Sequence, residues 1–402
     1  MSSETDMSCI VCQIGARENF SLARALARRG MLEMLVTDIW CKPDMPLRDR
    51  LGRFGERTHR DLSDQRVWAP SLRAVLRELS DRRAGRQGWD QILHRNAWFQ
   101  RMALQRLKRL DPKGPVTLFA YSYAAADILA YAKSRGWRTV LGQIDPGPVE
   151  ARLVEKLYDM PGQQGVHHPI PAQYWDNWRR ETDLADLIAV NSDWSRQGLV
   201  AEGVATEKII TLPLAYEPVM TAKPRPADKD APLRLLFLGQ VTLRKGIDLV
   251  FEALQMAPDL PVMLDVVGPL QVSVPEAIRS DPRITFHGSV ARSTVANFYD
   301  QADLFLFPTR SDGFGLTQLE ALSAGVPVIA SRHCGTVVEH NKNGLILQDL
   351  TAKNLADQLR MLTQDRAQVA QLRAGAHLAD RFSIDALSQN LFALLQQVQH
   401  SR

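Results

Sequence analysis

The chain has 402 residues, 45% of them hydrophobic and 23% charged, with a formal net charge of +4. This length exceeds what one hydrophobic core usually serves, so we expect two domains. No run approaches the roughly 18 consecutive apolar residues of a membrane-spanning helix, and four cysteines argue against a disulfide framework.

The N-terminal residues and the first strand indicate a reducing compartment. Residues 1–6 are polar and acidic, unlike a signal peptide. Cys9 and Cys12 have C-x-x-C spacing but lie in the predicted strand 8–14, where residues three apart point to opposite faces. We therefore expect buried, reduced thiols and a cytoplasmic protein.

Apolar strands alternate with helical segments through the first half of the chain. Further strands are predicted at 32–36, 116–120, 139–143 and 187–190. Such alternation predicts a parallel, doubly wound sheet. We assign residues 1–222 to this N-terminal domain and the polar, proline-rich residues 223–232 to a linker.

An arginine-rich helical insertion at about 46–110 interrupts this domain. Residues 48–109 contain 15 Arg and one Lys against 7 acidic residues, a local excess of nine positive charges. The rest of the chain therefore carries a net charge of −5. Two interpretations stay open: docking on an anionic membrane surface, or amphipathic helices that pack on the sheet with solvated arginines. No recognition motif accompanies the charge, so we predict no nucleic-acid partner.

The strand–helix pattern restarts in residues 233–382, which we assign to a C-terminal domain. Its strands are predicted at 235–239, 262–267, 284–287, 303–307 and 326–330. After Ser383, a suitable helix N-cap, apolar residues recur at helical spacing to the end of the chain. The picture is of two similar sheets in tandem, followed by a final amphipathic helix.

The most informative segment lies between the strands 303–307 and 326–330. Asp312-Gly-Phe-Gly-Leu lies where the chain turns into a short helix, and Gly325 lies where that helix ends. At the carboxyl end of a parallel strand, such a loop binds anions through free amides and the helix dipole. Asp312 and Glu320 could face the same cleft. Amides for phosphate and carboxylates for hydroxyls together suggest a nucleotide-sugar site.

This segment resembles the signature of the family 4 retaining glycosyltransferases, which have the GT-B fold (glycosyl transferases group 1). The family motif places two acids eight positions apart, and here they are Asp312, in place of the usual Glu, and Glu320. A second block, residues 235–246, resembles the family's G-R-x(4)-K-G. Lys245 matches the lysine of that block, and Gln240 stands where the family has arginine.

The resemblance, strong over roughly 233–363, implies an α/β protein in which two Rossmann-like domains face each other across a cleft. The C-terminal domain would bind the nucleotide sugar and the N-terminal domain the acceptor. In similar proteins the final helix crosses back between domains. We therefore expect the helix at 383–402 to pack on the N-terminal domain.

The resemblance also implies roles for individual residues. Lys245 would contact the donor diphosphate. Glu320 would accept hydrogen bonds from the ribose hydroxyls, and Asp312 would bind hydroxyls of the donor sugar. These three are the candidate catalytic residues. Further candidates for donor contacts are Gly15, Gln240, Arg244, Val290, Gly313, Phe314, Gly315 and Leu316. Taken alone, Lys245 is more typical of a solvated lysine at a helix start, and Asp312 could be a turn or N-cap residue; the two motif blocks in the expected order favour the donor roles.

The acceptor site is less well marked. Asp145 follows the predicted strand 139–143, where a substrate-reading group belongs in such sheets. It is either an acceptor contact or a turn residue. Tyr174, Trp175 and Trp178 could stack on a sugar, although packing in a helical core explains them as well.

We predict no metal site and no cofactor, with a nucleoside-diphosphate sugar as co-substrate. Asp228 and Asp230 have D-x-D spacing, but they lie in the linker with no strand before them. His167 and His168 lack partners at ligand spacing.

The sequence thus predicts a retaining, metal-independent glycosyltransferase of the hexosyltransferase type. It would serve a glycan or lipid-linked acceptor, in cell-surface polysaccharide or glycoconjugate synthesis, in the cytoplasm or peripherally on the inner face of the membrane. Two alternatives remain. One is a non-catalytic GT-B-like subunit that binds nucleotide sugar or scaffolds a complex, and the other is a GT-B-fold nucleotide-sugar epimerase.

Overall fold

The computed structural model describes residues 7–45, 52, 54–159, 169–218 and 231–400. Within these residues the strands form two separate sheets. The strands of the first sheet are β1 Ser8–Gln13, β2 Leu32–Thr37, β3 Val67–Trp68, β4 Val116–Tyr121, β5 Arg138–Gln143, β6 Leu187–Val190 and β7 Ile209–Thr211. The strands of the second sheet are β8 Leu233–Leu238, β9 Val262–Val267, β10 Ile284–Gly288, β11 Leu304–Phe307, β12 Val328–Ala330 and β13 Gly344–Ile346.

Both sheets are parallel and doubly wound. The first has the order β3-β2-β1-β4-β5-β6-β7, and the second has the order β10-β9-β8-β11-β12-β13. The direction of winding reverses between β1 and β4 in one sheet and between β8 and β11 in the other. Ligands of open parallel sheets bind beyond the carboxyl ends of the strands at such switch points. The predicted fold class, two Rossmann-like domains, is confirmed.

Helices cover both faces of each sheet. Those of the N-terminal domain are α1 Ser21–Ala27, α2 Ser71–Arg83, α3 Gly88–Leu107, α4 Ala126–Ser134, α5 Pro148–Tyr158, α6 Ala172–Leu184 and α7 Asp193–Ala201. Those that follow are α8 Ile247–Met256, α9 Glu276–Arg279, α10 Val295–Gln301, α11 Leu316–Ser323, α12 Ala352–Gln364, α13 Arg366–Gly375 and α14 Ile384–His400.

The alternation of side chains along β1 explains how the N-terminal sheet is buried. Ile10 and Cys12 pack on one face with α3 and α4, whereas Cys9 and Val11 pack on the other face with α1 and α14. The four cysteines of the chain are free and buried, as predicted. Burial raises the pKa of Cys9 to about 12. These thiols are therefore structural.

The two helices of the arginine-rich insertion pack differently. α3 buries an apolar side that includes Trp98, Phe99 and Leu107 against the sheet. α2 buries only Ala74 and Asp81. α3 thus packs on the sheet as an amphipathic helix, whereas most of the apolar surface of α2 stays outside the core.

The final helix, α14, lies on the N-terminal domain. Ser383 caps it, since its hydroxyl accepts a hydrogen bond from the Ala386 amide at 3.1 Å. Apolar side chains along one side of the helix are 4% exposed or less and share a core cluster with α1 and β1. They are Ile384, Leu387, Leu391, Leu394, Leu395 and Val398. The hydroxyl of Ser388 donates to the Ala25 carbonyl at 2.8 Å.

Several sequence features fall outside the described residues. They include most of the predicted linker 223–232 with Asp228 and Asp230, the pair His167 and His168, and the first residues of the insertion. Among the helices that are described, none combines the length and apolarity needed to cross a bilayer.

Candidate active site

The loop between β11 and α11 ends in a helix N-terminus that no described side chain caps. Gly315 precedes α11 with φ +85°, and a Cβ there would lie 2.5 Å from the Phe307 ring. Only glycine fits this position. The first amides of α11 and the positive end of its dipole therefore remain available to an anion.

Lys245 and Asp312 form an ion pair with each other at this point. The Lys245 ammonium donates to Oδ2 of Asp312 and lies 5.1 Å from the centre of the Phe307 ring. The two side chains are only 17% and 16% exposed, so Lys245 is not a solvated surface lysine. Burial favours a raised pKa for Asp312, but the charges of Lys245 and Arg244 outweigh burial and hold the pKa below its ordinary value.

Asp312 also shapes the loop itself. Its Oδ1 accepts a hydrogen bond from the Phe314 amide at 3.3 Å, an Asx-type turn. The Phe314 side chain is 3% exposed and packs edge-on against Phe382 at 6.0 Å. Phe314 thus anchors the loop in the core, and its amide is bonded within the loop rather than free.

A cavity of about 220 Å³, which we call the α11 cavity, lies between α11 and the loop that follows β1. Leu316, Glu320 and Arg292 line one side of it, and Ala16, Glu18 and Asn19 line the other. The Tyr299 hydroxyl donates to Oε2 of Glu320 at 3.1 Å. Burial raises the pKa of Glu320, against the opposing effects of Tyr299 and Arg292. Glu320 is therefore a half-buried acceptor that faces the opposite domain.

The loop after β1 is held in an uncommon conformation. Glu18, Asn19 and Phe20 have φ values of +47°, +51° and +59°, the left-handed region that non-glycine residues rarely adopt. The Gly15 amide donates to Oδ1 of Asp38 at 2.8 Å, so this predicted donor contact is engaged within its own domain. The strain next to the α11 cavity is a feature that the sequence did not indicate.

Gly313 lies at a close contact between the two domains. A Cβ on Gly313 would lie 2.0 Å from the carbonyl oxygen of Ile144, in the loop after β5. The Gly313 carbonyl accepts hydrogen bonds from the hydroxyls of Ser192 at 2.7 Å and Ser195 at 3.3 Å. Gly313 is thus required for domain contact, a role beyond its predicted part in donor binding.

Glu150 of α5 makes a second polar contact between the domains. Its Oε2 accepts from the Ser311 hydroxyl at 2.6 Å and lies 3.5 Å from the Arg244 guanidinium. Arg244 also donates to the Ser311 carbonyl at 2.8 Å. Burial raises the pKa of Glu150 to about 7, although the charge of Arg244 acts in the opposite direction.

This contact predicts a pH dependence of stability. The pKa of Glu150 is about 7 in the folded protein, against 4.5 for a glutamate in the unfolded chain. Between these pH values the folded protein therefore binds a proton that the unfolded chain has lost. Stability should therefore fall as pH rises from about 4.5 to 7, by at most about 3 kcal/mol from this group. Urea unfolding of Glu150→Gln should show a flatter pH profile than the wild type. Glu207→Gln, at an exposed position, should keep the wild-type slope, and an equal slope in Glu150→Gln would contradict the assignment.

A larger cavity of about 420 Å³, the central cleft, lies beside this contact. Asp145 and Glu150 of the N-terminal domain and Gln240 and Arg244 of the C-terminal domain line it. Oδ1 of Asp145 accepts from the Tyr123 hydroxyl at 2.5 Å, from Gln143 at 3.0 Å and from the Gly147 amide at 2.9 Å. Asp145 is therefore both a turn residue and a cleft residue, and burial raises its pKa.

The remaining candidates lie at the edges of this arrangement. Val290 is partly buried against the cluster that contains Phe314, in the loop after β10. His287 pairs with Asp265 at 2.7 Å. The structure brings Lys245, Asp312 and Arg244 together and places Glu320 at the far side of the same loop. No motif indicated Glu150, Ser192, Arg292 or Tyr299, which contribute through tertiary contacts.

Across the described ranges, no group of three or more His, Cys, Asp or Glu side chains is arranged to hold a metal ion.

Comparison with known proteins gives a consistent picture. Residues 232–365 match the sequence family described as Glycosyl transferases group 1. A D-inositol 3-phosphate glycosyltransferase of Xylanimonas cellulosilytica is 36% identical over 163 residues, 38% of this chain and 39% of that protein. A protein of the same name from Pseudarthrobacter chlorophenolicus is 30% identical over 285 residues, 66% of each chain. The matched part thus spans less than two thirds of each relative, and the predicted resemblance is confirmed.

The fold has solved counterparts. The crystal structure of the Anabaena protein HepE in complex with UDP and glucose superposes with a TM-score of 0.63, at 15% identity, over 97% of this chain and 99% of that one. At this identity the likeness establishes the fold, and the predicted GT-B architecture is confirmed.

Proposed function

We infer that this chain, whose residues 232–365 form a domain of the glycosyl transferases group 1, is a retaining, metal-independent glycosyltransferase. It transfers a hexose-type sugar from a nucleoside-diphosphate sugar to a glycan or lipid-linked acceptor, in polysaccharide or glycoconjugate synthesis in the cytoplasm. The proposal rests on the uncapped N-terminus of α11, which lies beside Lys245 and Glu320 at the switch point of the second sheet. The UDP and glucose in the HepE structure support a nucleotide-sugar donor.

The first chemical task is to hold the leaving diphosphate. Lys245 exchanges its partner Asp312 for a phosphate oxygen, and the free amides at the start of α11 bind the other oxygens. Negative charge grows on the diphosphate as the bond from the sugar C1 to its oxygen breaks. A fixed cation and fixed dipoles in a half-buried site stabilise that charge, so no cofactor is needed.

The second task is to orient the sugar and ribose. Glu320 accepts hydrogen bonds from the ribose hydroxyls in the α11 cavity, as it already does from the Tyr299 hydroxyl. Asp312, released from Lys245, accepts from hydroxyls of the donor sugar. Because its side chain is one methylene shorter than the usual Glu, the sugar must approach the loop closely or bind through a water.

The third task is bond formation with retention of configuration. The acceptor hydroxyl attacks C1 from the face that the diphosphate leaves, forming the new C1–O bond. The acceptor proton passes to an oxygen of the departing diphosphate, which explains why no separate general base is required. The contacts at Gly313 and Glu150 hold the two domains together beside the cleft, and a donor enclosed between them is less open to hydrolysis by water.

A donor panel tests this proposal. The full chain is incubated with UDP-, GDP- and ADP-sugars, with and without acceptors and chelator, and nucleotide release and product anomer are measured. We expect nucleotide release that increases when an acceptor is added and persists when a chelator is present. The product should keep the anomeric configuration of the donor. Binding of a donor without any release would favour the non-catalytic alternative, and an inverted product would contradict retention.

We further propose that α2 contacts an anionic membrane. Leu72, Leu76 and Leu79 lie at helical spacing and are 73%, 56% and 48% exposed. The two acids of α2 lie away from this stripe, where Asp81 pairs with Arg77 and Glu78 with Arg82. Leucines flanked by arginines, without free carboxylates, complement a bilayer of anionic phospholipid.

Vesicle binding tests the membrane contact. Replacing the three leucines of α2 by serine should remove roughly 4 kcal/mol of apolar transfer energy, a factor of about 10³ in partition. Co-sedimentation with vesicles containing about a third phosphatidylglycerol should therefore be lost. Met256→Ser, at a side chain that is 56% exposed on α8, should sediment like the wild type. Equal sedimentation of the triple variant would exclude this surface.

A further inference from the structure

A cavity of about 230 Å³ in the N-terminal domain lies at the switch point between β1 and β4. We call it the switch-point pocket. Its polar and aromatic lining includes Gln13, Arg17, Trp89, Arg95, Ser122 and Tyr174. Gln13 and Arg17 lie at and just after the end of β1, and Ser122 follows β4. The donor chemistry proposed above uses none of these side chains, although the geometry of the sheet marks this place as a ligand site.

Arg17 and Arg95 both line this pocket, and the charges nearest to them include Glu18 beside Arg17 and Asp38 beside Arg95. Within the described chain neither Arg17 nor Arg95 forms an ion pair, and the Arg17 guanidinium lies 5.5 Å from the centre of the Tyr121 ring. Among the described residues, the Arg95 guanidinium donates hydrogen bonds to the side-chain oxygen of the neighbouring Asn96 at 3.4 Å. Burial lowers the pKa of Arg95, and the charges of Arg77 and Arg17 lower it further against the effect of Asp38. Guanidinium groups suit the recognition of phosphate and carboxylate oxygens, so an anion in this pocket would be attracted to both side chains.

Two more lining residues carry buried polar atoms. Among the described residues, the side-chain oxygen of Gln13 and the hydroxyl of Ser122 find no hydrogen-bond partner, although these residues are only 1% and 5% exposed. An unsatisfied buried polar atom costs about 1–3 kcal/mol. The Gln13 amide group donates to the Gly15 carbonyl at 2.8 Å, which fixes its direction. Hydroxyl groups of a ligand would satisfy both atoms.

The position of the pocket relates it to the reaction. The loop after β1 separates the two cavities, because Ile14 and Arg17 line the switch-point pocket while Ala16 and Glu18 line the α11 cavity. Trp89, Tyr123 and Tyr174 border both the pocket and the central cleft. A ligand in the pocket is therefore one loop away from the proposed donor site.

We propose that the switch-point pocket binds an acceptor that carries an anionic group, a phosphate or a carboxylate, on a hydroxylated sugar. Arg17 and Arg95 hold the anion, in the paired geometry that guanidinium groups form with such oxygens. Gln13 and Ser122 bond to hydroxyls, and Trp89 and Tyr174 pack on the apolar side of the ring. The inference rests on the proposed glycosyl transfer and names the chemical class of its acceptor.

Calorimetric titration of the full chain tests the proposal. The probes are glucose 1-phosphate, glucuronic acid and the neutral methyl glucoside, and the variants are Arg17→Met, Arg95→Met and, as control, Arg101→Met at an exposed position of α3. We expect at least one anionic sugar to bind about tenfold or more tightly than the neutral one. The preference should disappear in Arg17→Met and Arg95→Met and persist in Arg101→Met. Which anion binds distinguishes phosphate from carboxylate.

Thermal melting supplies a second measurement on the same variants. Arg95→Met removes a half-buried charge whose desolvation and like-charge neighbours Arg77 and Arg17 outweigh the attraction of Asp38. We therefore expect its Tm to be at or above that of the wild type. The shift of Tm caused by UDP should be unchanged in it, since the donor site is separate.

Equal binding of neutral and anionic sugars, no binding of any of them, or an unchanged preference in Arg95→Met would overturn the inference. Loss of the UDP shift in Arg95→Met would also overturn it, since the pocket would then belong to the donor. Failure of the proposed function is distinguishable, because it would appear as absence of nucleotide release and of any UDP shift in the wild type.

Discussion

Replacing Lys245 by alanine should lower kcat/KM by about 10²–10³, which corresponds to roughly 2.7–4 kcal/mol of lost transition-state stabilisation. The reason is the position of Lys245: its side chain is only 17% exposed, and its ammonium lies beside the uncapped start of α11. A cation fixed in a half-buried site stabilises the growing charge of a leaving diphosphate far better than a mobile surface lysine would.

The ion pair with Asp312 means that Lys245→Ala changes stability as well as activity, and a double variant can separate the two effects. Lys245→Ala leaves Asp312 buried without its partner, which by itself destabilises the protein. The double variant Lys245→Ala/Asp312→Asn removes that effect and should recover stability in urea unfolding without recovering activity. Lys342→Ala, at a side chain that is 59% exposed and pairs with Glu339, should retain wild-type kcat/KM. Near-wild-type kcat/KM in the Lys245 variants would reject its role.

Deleting residues 384–402 should unfold the N-terminal domain. Six apolar side chains of α14 are buried against that domain, and each contributes about 1.5–3 kcal/mol. Their sum, roughly 9–18 kcal/mol, matches or exceeds the whole stability of a typical domain. The ion pair of Arg28 with Asp385, at 2.6 Å on the surface, adds little.

Tryptophan fluorescence can follow this loss selectively, because all eight tryptophans lie in the N-terminal half of the chain. A milder variant, Leu391→Ala, removes a side chain that is 1% exposed and should cost about 2–5 kcal/mol. Gln396→Ala on the exposed side of the same helix should cost nearly nothing. An unchanged melting profile after the deletion would refute the coupling of α14 to this domain.

The parts of this structure that sequence predicted are those with local signals. Ten strands were found to within about two residues, because each carries a buried apolar run. The sequence did not predict three edge strands of two or three residues, β3, β7 and β13. Strands this short show no alternation of apolar and polar residues. The turn at Gly315 was predictable because a glycine before a short helix has few other uses.

Contacts between residues that are distant in sequence, and one unusual loop, could not be predicted in the same way. Nothing local in the sequence indicates that Lys245 pairs with Asp312, or that Glu150 meets Ser311 and Arg244. The left-handed run at Glu18, Asn19 and Phe20 has no glycine to mark it. The contact of Glu150 depends on how one domain closes on the other, and the other two features depend on packing within one domain. A pattern of residues in one segment does not contain either kind of information.

The central claim is that Lys245 and the start of α11 hold the diphosphate of an activated sugar. The most direct measurement is a crystal structure of the full chain soaked with a nucleoside-diphosphate sugar that it binds. We expect the diphosphate within hydrogen-bonding distance of the Lys245 ammonium and the α11 amides, with the ribose at Glu320. A donor bound elsewhere, with Lys245 still paired to Asp312, would contradict the claim.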